Sequence, residues 1–125
     1  LLATSPLRTP EDIDACISLL EREKADNVFS VTPAGRNPYF NMVEIHNGKV
    51  VQVKPGTFAS RQTAPPVYDL NASIYVWWAD VFKRTPALFL DRTRVYIMPR
   101  ERSVDIDDAI DFKLVQLIME ERHGA

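Results

Sequence analysis

The sequence predicts an α/β fold on three observations. Short β-branched or aromatic runs alternate with segments of helical period, the two longer helix candidates open on capping residues, and an Asn-Gly pair marks a hairpin inserted into the alternation. With 46% hydrophobic and 26% charged residues among 125, the composition is that of an ordinary globular chain. A chain of this length buries roughly two-thirds of the surface it exposes when unfolded, so a core forms without disulfides or a structural metal. A single domain over residues 1–125 is expected, because no internal repeat or low-complexity linker divides it.

Thr9-Pro10-Glu11-Asp12 opens the first helix: Thr9 caps, Pro10 suits the first helical position, and the acidic residues face the positive end of the helix dipole. Ile13, Cys16, Ile17 and Leu20 recur at helical spacing as a core-facing stripe, and the helix is expected to reach Lys24. Residues 28–32, ending at Pro33, form a strand, and residues 34–38 a loop. Asn47-Gly48 joins residues 42–46 to 49–53 in a hairpin, because this dipeptide accepts the positive φ angles of a type I′ turn. The Pro-rich polar stretch 55–66, which holds Arg61 and Gln62, reads as a long surface loop. A strand follows at 72–77, where the run Ile74, Tyr75 and Val76 indicates burial on both faces. A short helix at 78–83 and a strand at 94–98 precede a last helix, opened by Asp107 or Asp108, whose buried stripe is Ile110, Leu114, Leu117 and Ile118.

The net charge of −2 lacks the basic excess that neutralises a phosphate backbone, which argues against a nucleic-acid partner. No apolar stretch approaches the roughly 20 residues that span a bilayer, so no membrane partner is expected. Cys16 is the only cysteine; it fits a reducing, cytoplasmic compartment and the apolar face of its helix. His46 beside the hairpin turn and His123 near the carboxyl terminus give no general base, and Trp77 and Trp78 are expected to fill core and rim. Arg8 is expected to pair structurally with an acid such as Asp12.

Asp105-Ile106-Asp107 carries the strongest chemical signal. Extended backbone points residues i and i+2 to one side, so both carboxylates can converge on a hard cation that prefers oxygen ligands, which suits a Mg²⁺-phosphate site. The alternative is structural, since Asp107, Asp108 and Asp111 also stand where a helix start wants acidic caps. Ligands of α/β sheets gather beyond the carboxyl ends of the strands. Three polar clusters are expected there: Thr4-Ser5-Pro6-Leu7-Arg8, Tyr68-Asp69-Leu70-Asn71, and residues 100–107.

Ala3-Thr4-Ser5-Pro6-Leu7-Arg8, Arg61-Gln62 with Pro65-Pro66-Val67-Tyr68, Asn71-Ala72-Ser73-Ile74-Tyr75, and the run from Met98 through Arg102-Ser103-Val104-Asp105-Ile106-Asp107 follow one another in this order. The set resembles the motifs of the CMP-acylneuraminate cytidylyltransferases, the CMP-sialic acid synthetases, almost from end to end. Four ordered motifs are specific where one is weak. The resemblance implies a three-layer, nucleotide-sugar transferase-like (Rossmann-like) mixed sheet with an inserted β-hairpin dimerisation region at about 37–54. It also implies a Mg²⁺-dependent reaction in which a nonulosonic (sialic-type) acid attacks the α-phosphate of CTP, giving a CMP-sugar and pyrophosphate, in a cytoplasmic homodimer.

By the same resemblance Asp105 and Asp107 are the catalytic, metal-holding pair, Asn71 and Tyr75 line the sugar site, and Arg61 and Gln62 lie near bound substrate. Arg61 reads equally well as a solvated loop charge. Three positions depart from the family pattern. Leu2 stands where a ligand-contacting glutamine is frequent, Ala72 where glycine is frequent, and Asn41 where some members place a lysine that reaches the partner subunit. The family's amino-terminal Gly/Lys/Arg-rich nucleotide loop has no counterpart in residues 1–125, and Leu1-Leu2-Ala3 reads like the end of a buried strand. The expectation is therefore a carboxyl-terminal portion of such an enzyme, inactive by itself, or else a homodimerising or ligand-binding remnant of the fold.

Overall fold

A computed structural model describes residues 1–54, 56 and 63–124. The Thr9 hydroxyl accepts the Asp12 amide and the Asp12 carboxylate accepts the Thr9 amide, so helix α1 (Pro10–Arg22) starts on a reciprocal capping box. The other elements follow as β1 (Asn27–Pro33), β2 (Val43–His46), β3 (Lys49–Gln52), β4 (Tyr68–Trp77), α2 (Ala79–Arg84), β5 (Thr93–Ile97), a single 3₁₀ turn at Arg100–Arg102, and α3 (Ala109–Arg122). They divide into two units, one of Leu1–Thr32 with Leu70–Ala125 and the other of Pro33–Asp69.

The first unit contains a mixed three-stranded sheet in the order β4-β1-β5. β1 and β5 run parallel, with Asn27 opposite Thr93 and Val31 opposite Ile97. Parallel pairing requires a crossover, and the chain between these strands supplies it. Helix α1 packs on β5. Its Cys16 and Leu20 join Ala25, Val28, Ile74 and Met98 in the core, with Ile13, Leu19, Val76 and Tyr96 around them. Burial raises the Cys16 thiol to about 12, with the Asp12 charge adding to the effect, so the thiol stays protonated and inert.

Inside β4, Ala72 has φ of 55°, a left-handed conformation that breaks the strand's alternation between Asn71 and Ser73. Ile74 is buried, but Tyr75 and Val76 are only half-buried.

Several sequence expectations need correction. Ile17 is exposed, because the buried stripe of α1 runs instead through Asp12, Cys16 and Leu20. On α3 the expected stripe is largely in solvent, with Ile110 76% and Leu117 59% exposed and Leu114 also exposed; Val115 is the buried residue. The apolar residues of α3 are distributed all round the helix, so no single face outcompetes the others for the core. Val95 and Ile97 of β5 are exposed too. Leu1 and Leu2 are exposed and form no strand. Arg8 does not pair with Asp12: its Nη1 donates to the carbonyls of Leu2 and Ser5, each at 2.7 Å, and fixes the turn that presents Ser5.

The second unit is built around the antiparallel β2–β3 hairpin, in which Ile45 faces Val50 and His46 faces Lys49. Asn47 and Gly48 have φ of 50° and 80°, the positive values that a type I′ turn demands. The Asn37 side chain organises the approach: its Oδ1 accepts the Tyr39 amide and its Nδ2 donates to the Pro65 carbonyl. Asn41 folds back, its Oδ1 accepting the Asn37 amide at 2.6 Å.

Candidate functional site

The segment that leaves β5 carries the candidate carboxylates, and Asn71 at the opposite edge strand is the hub on which it hangs. Asn71 is 5% exposed. Its Oδ1 accepts the Ser30 hydroxyl at 2.6 Å and the Ser73 amide at 3.4 Å, while Nδ2 donates to Ser103 Oγ at 3.1 Å and Met98 Sδ at 3.5 Å. Both amide hydrogens and both acceptor sites are engaged within the chain. A sugar contact by Asn71 has to displace one of these bonds. Ser103 Oγ in turn donates to the Pro99 carbonyl, which closes the segment on itself.

Buried Ser5 connects this hub to the acids, with its hydroxyl 3.4 Å from Asp105 Oδ1 and 3.5 Å from the Asn71 carbonyl. The next amide, Ile106 N–H, donates to the Thr4 carbonyl at 2.8 Å. The amino-terminal Thr-Ser pair therefore fixes Asp105 from one side, and through Ser5, Asn71 and Ser103 each of the three polar clusters of the sequence contributes a residue to one network. The acidic run then separates by role. Asp108 caps α3 by accepting the Asp111 amide, and Asp111 accepts the Asp107 amide. Asp105 is half-buried and Asp107 exposed, and among the described residues the Asp107 carboxylate accepts no hydrogen bond. Neither is consumed by the helix start.

Among the described residues no group of three or more His, Cys, Asp or Glu side chains gathers around a metal position. Mg²⁺ keeps several waters and binds through one or two carboxylates plus substrate phosphates, so it does not require such a group. The donors at hand, two carboxylates and the Ser5 hydroxyl, are all hard oxygens, so the residues fit such an ion. Tyr75 lies elsewhere in the contact network, stacked on Trp77 with ring centroids 6.1 Å apart, and Trp77 packs against Phe82. Trp77 and Trp78 donate their indole N–H groups to the Ala87 and Ala25 carbonyls, as rim residues do. Arg61 and Gln62 lie outside the described residues.

Asp12 is the site-related residue that sequence reasoning missed. It is 1% exposed, and its carboxylate receives Arg102 Nε at 2.9 Å and Nη2 at 3.0 Å, together with the Tyr96 hydroxyl at 2.8 Å. Burial pushes its pKa up, but the hydrogen bonds from Arg102, Thr9 and Tyr96 together outweigh that and hold it at about 2. Tyr96 is raised by burial and by its bond to Asp12, and Arg102 is raised first by the Asp12 carboxylate. The Thr9-Pro10-Glu11-Asp12 opening signalled a helix start, but nothing local signalled the arginine 90 residues away.

No family model matches the chain. It is 38% identical over 121 residues, 97% of its length, to post-translational flagellin modification protein B of Campylobacter coli, covering 52% of that protein. It is 44% identical over 92 residues to CMP-N,N'-diacetyllegionaminic acid synthase of Campylobacter jejuni, covering 74% of this chain and 39% of that one. It is 28% identical over 113 residues to N-acylneuraminate cytidylyltransferase of Streptococcus agalactiae, covering 90% of this chain and 27% of that one. The chain thus spans about half, or less, of the length of these curated relatives. The mixed three-stranded α/β sheet is compatible with a Rossmann-like fold. The chain belongs to the CMP-sialic acid synthetase family.

Proposed function

We propose that this chain carries the metal and sugar side of a nucleotidyltransferase that activates a nonulosonic acid with CTP, releasing pyrophosphate. The observation that supports it best is the division of labour in the acidic run. Asp108 and Asp111 satisfy the helix start, which leaves Asp105, steadied by Ser5, and Asp107 as ligands. The names of the relatives, a CMP-N,N'-diacetyllegionaminic acid synthase and an N-acylneuraminate cytidylyltransferase, point the same way.

In this reading Asp105 and Asp107 hold Mg²⁺. The bound ion supplies charge neutralisation on the phosphate and sugar oxygens. The chain's own contribution is placement. Ser5 and the Thr4 carbonyl set the position of Asp105, and the Asn71 hub keeps the segment against the sheet edge. On the family resemblance alone we assign Tyr75 to the sugar and Arg61 with Gln62 to a carboxylate or phosphate, a task suited to a planar guanidinium. We place the reaction in the cytoplasm. The 125 residues alone are expected to bind the metal without turnover, since they hold no Gly-rich phosphate loop. Calorimetry with Mg²⁺ and CMP tests the site: Asp105→Asn is expected to abolish the metal-dependent heat, and unchanged Mg²⁺ affinity in that variant would refute it.

A second element of the proposal is homodimerisation through the hairpin. Val43, Ile45 and Val50 are all exposed, and a two-stranded ribbon with an open apolar surface is marginal in water by itself. A second copy of the chain supplies the missing cover.

A further inference from the structure

We infer that the Asp12–Arg102 pair is a latch that positions the carboxylate-bearing segment after β5, making both residues positioning residues for Asp105 and Asp107; the inference rests on the metal-site reading above. Residues 103–107 have no regular secondary structure. The 3₁₀ turn that precedes them has no side-chain cap and no buried residue, so it provides little hold of its own. The course of the segment is instead set by side-chain ties.

The firmest of these ties is Arg102. Its guanidinium meets both oxygens of Asp12 in a two-pronged bond, which fixes orientation as well as distance. Asp12 is itself immobilised. Its backbone belongs to the first turn of α1, its Oδ2 is bonded to the Thr9 amide, and its Oδ1 accepts the hydroxyl of Tyr96, whose strand β5 is paired with β1. Arg102 therefore anchors the segment to a point shared by helix and sheet, three residues before Asp105. From there Ser103 is held by Asn71, Asp105 by Ser5, and Ile106 by Thr4. Loss of the first tie leaves the carboxylates held by single hydrogen bonds, none of them two-pronged.

A buried ion pair of this kind contributes little net stability over an apolar pair of similar size. Orientation of metal ligands by their supporting partners, in contrast, changes metal affinity by roughly 10- to 100-fold. The test uses the full 125-residue chain with Mn²⁺ as the probe, followed by water-proton relaxation, and amide hydrogen exchange followed by NMR. Arg102→Gln leaves a buried carboxylate unpaired and is at risk of unfolding, so the neutral double variant Asp12→Asn/Arg102→Gln is measured beside it, with Arg102→Lys as the conservative replacement.

The expected result is exchange at Ile106 N–H at least about tenfold faster in the double variant, with the Val28 and Phe29 amides unaffected. Mn²⁺ binding is expected to weaken about tenfold, and Arg102→Lys to restore part of both. Exchange at Ile106 at the parental rate overturns the latch. So does faster exchange with unchanged Mn²⁺ affinity, which assigns the pair a structural role only. If the parent chain binds no Mn²⁺, or Asp105→Asn binds it as tightly as the parent, the metal site itself falls and the inference with it. That failure is distinct, because it appears in the parent and the Asp105 variant, without reference to Arg102.

Discussion

A carboxylate at 1% exposure stays charged only if its lone pairs are filled, and Asp12 fills them with Arg102, Tyr96 and Thr9. Its folded pKa of about 2 lies below the ordinary carboxylate value of 3.8, so the stabilisation is present above the unfolded pKa and is lost as pH falls through the folded one. The gap corresponds to on the order of 2 kcal/mol. Urea midpoints measured from pH 5 down to pH 2 are expected to fall across that window, and Asp12→Asn, less stable at neutral pH by about 3 kcal/mol, is expected to flatten this part of the curve. Ala72 gives the opposite kind of residue-scale effect. Its φ of 55° puts a Cβ in the left-handed region, where glycine is free of strain. Ala72→Gly is expected to stabilise the chain by about 0.5–1 kcal/mol in denaturant titration, whereas the same change at an ordinary strand position destabilises it.

At the scale of elements, legibility followed how local each cause was. The hairpin was readable because Asn47 and Gly48 by themselves dictate a turn with two positive φ angles. Helix α1 was readable because Thr9, Pro10 and Asp12 are its start signal, whereas Ile17 was misplaced because periodicity does not say where on the arc the core ends. Helix α3 was found, with the structure choosing Asp108 over Asp107 as its cap, but the stripe expected to be buried lies largely in solvent since its apolar residues select no single face. The hairpin's apolar face supports an element-scale prediction. Ile45, 71% exposed, lies opposite exposed Val50. Ile45→Asp is expected to shift sedimentation from dimer to monomer at tens of micromolar, on the order of ordinary association constants, without loss of the fold. A parent chain that sediments as a monomer there removes the dimer from the proposal.

For the molecule as a whole, the sequence by itself determined the alternation of strands and helices, the hairpin turn and the start of the first helix. Each of these depends on residues within a turn or two of one another, where sterics and capping act without help. Only the tertiary structure decided that Asn71 is a fully bonded hub, that Ser5 reaches Asp105 across 100 residues of chain, and that Arg102 rather than Arg8 is the partner of Asp12. Those contacts depend on which strands pair and which loops meet beyond them. A buried polar group accepts whichever partner the folded chain brings within bonding distance, and no spacing along the sequence encodes that choice.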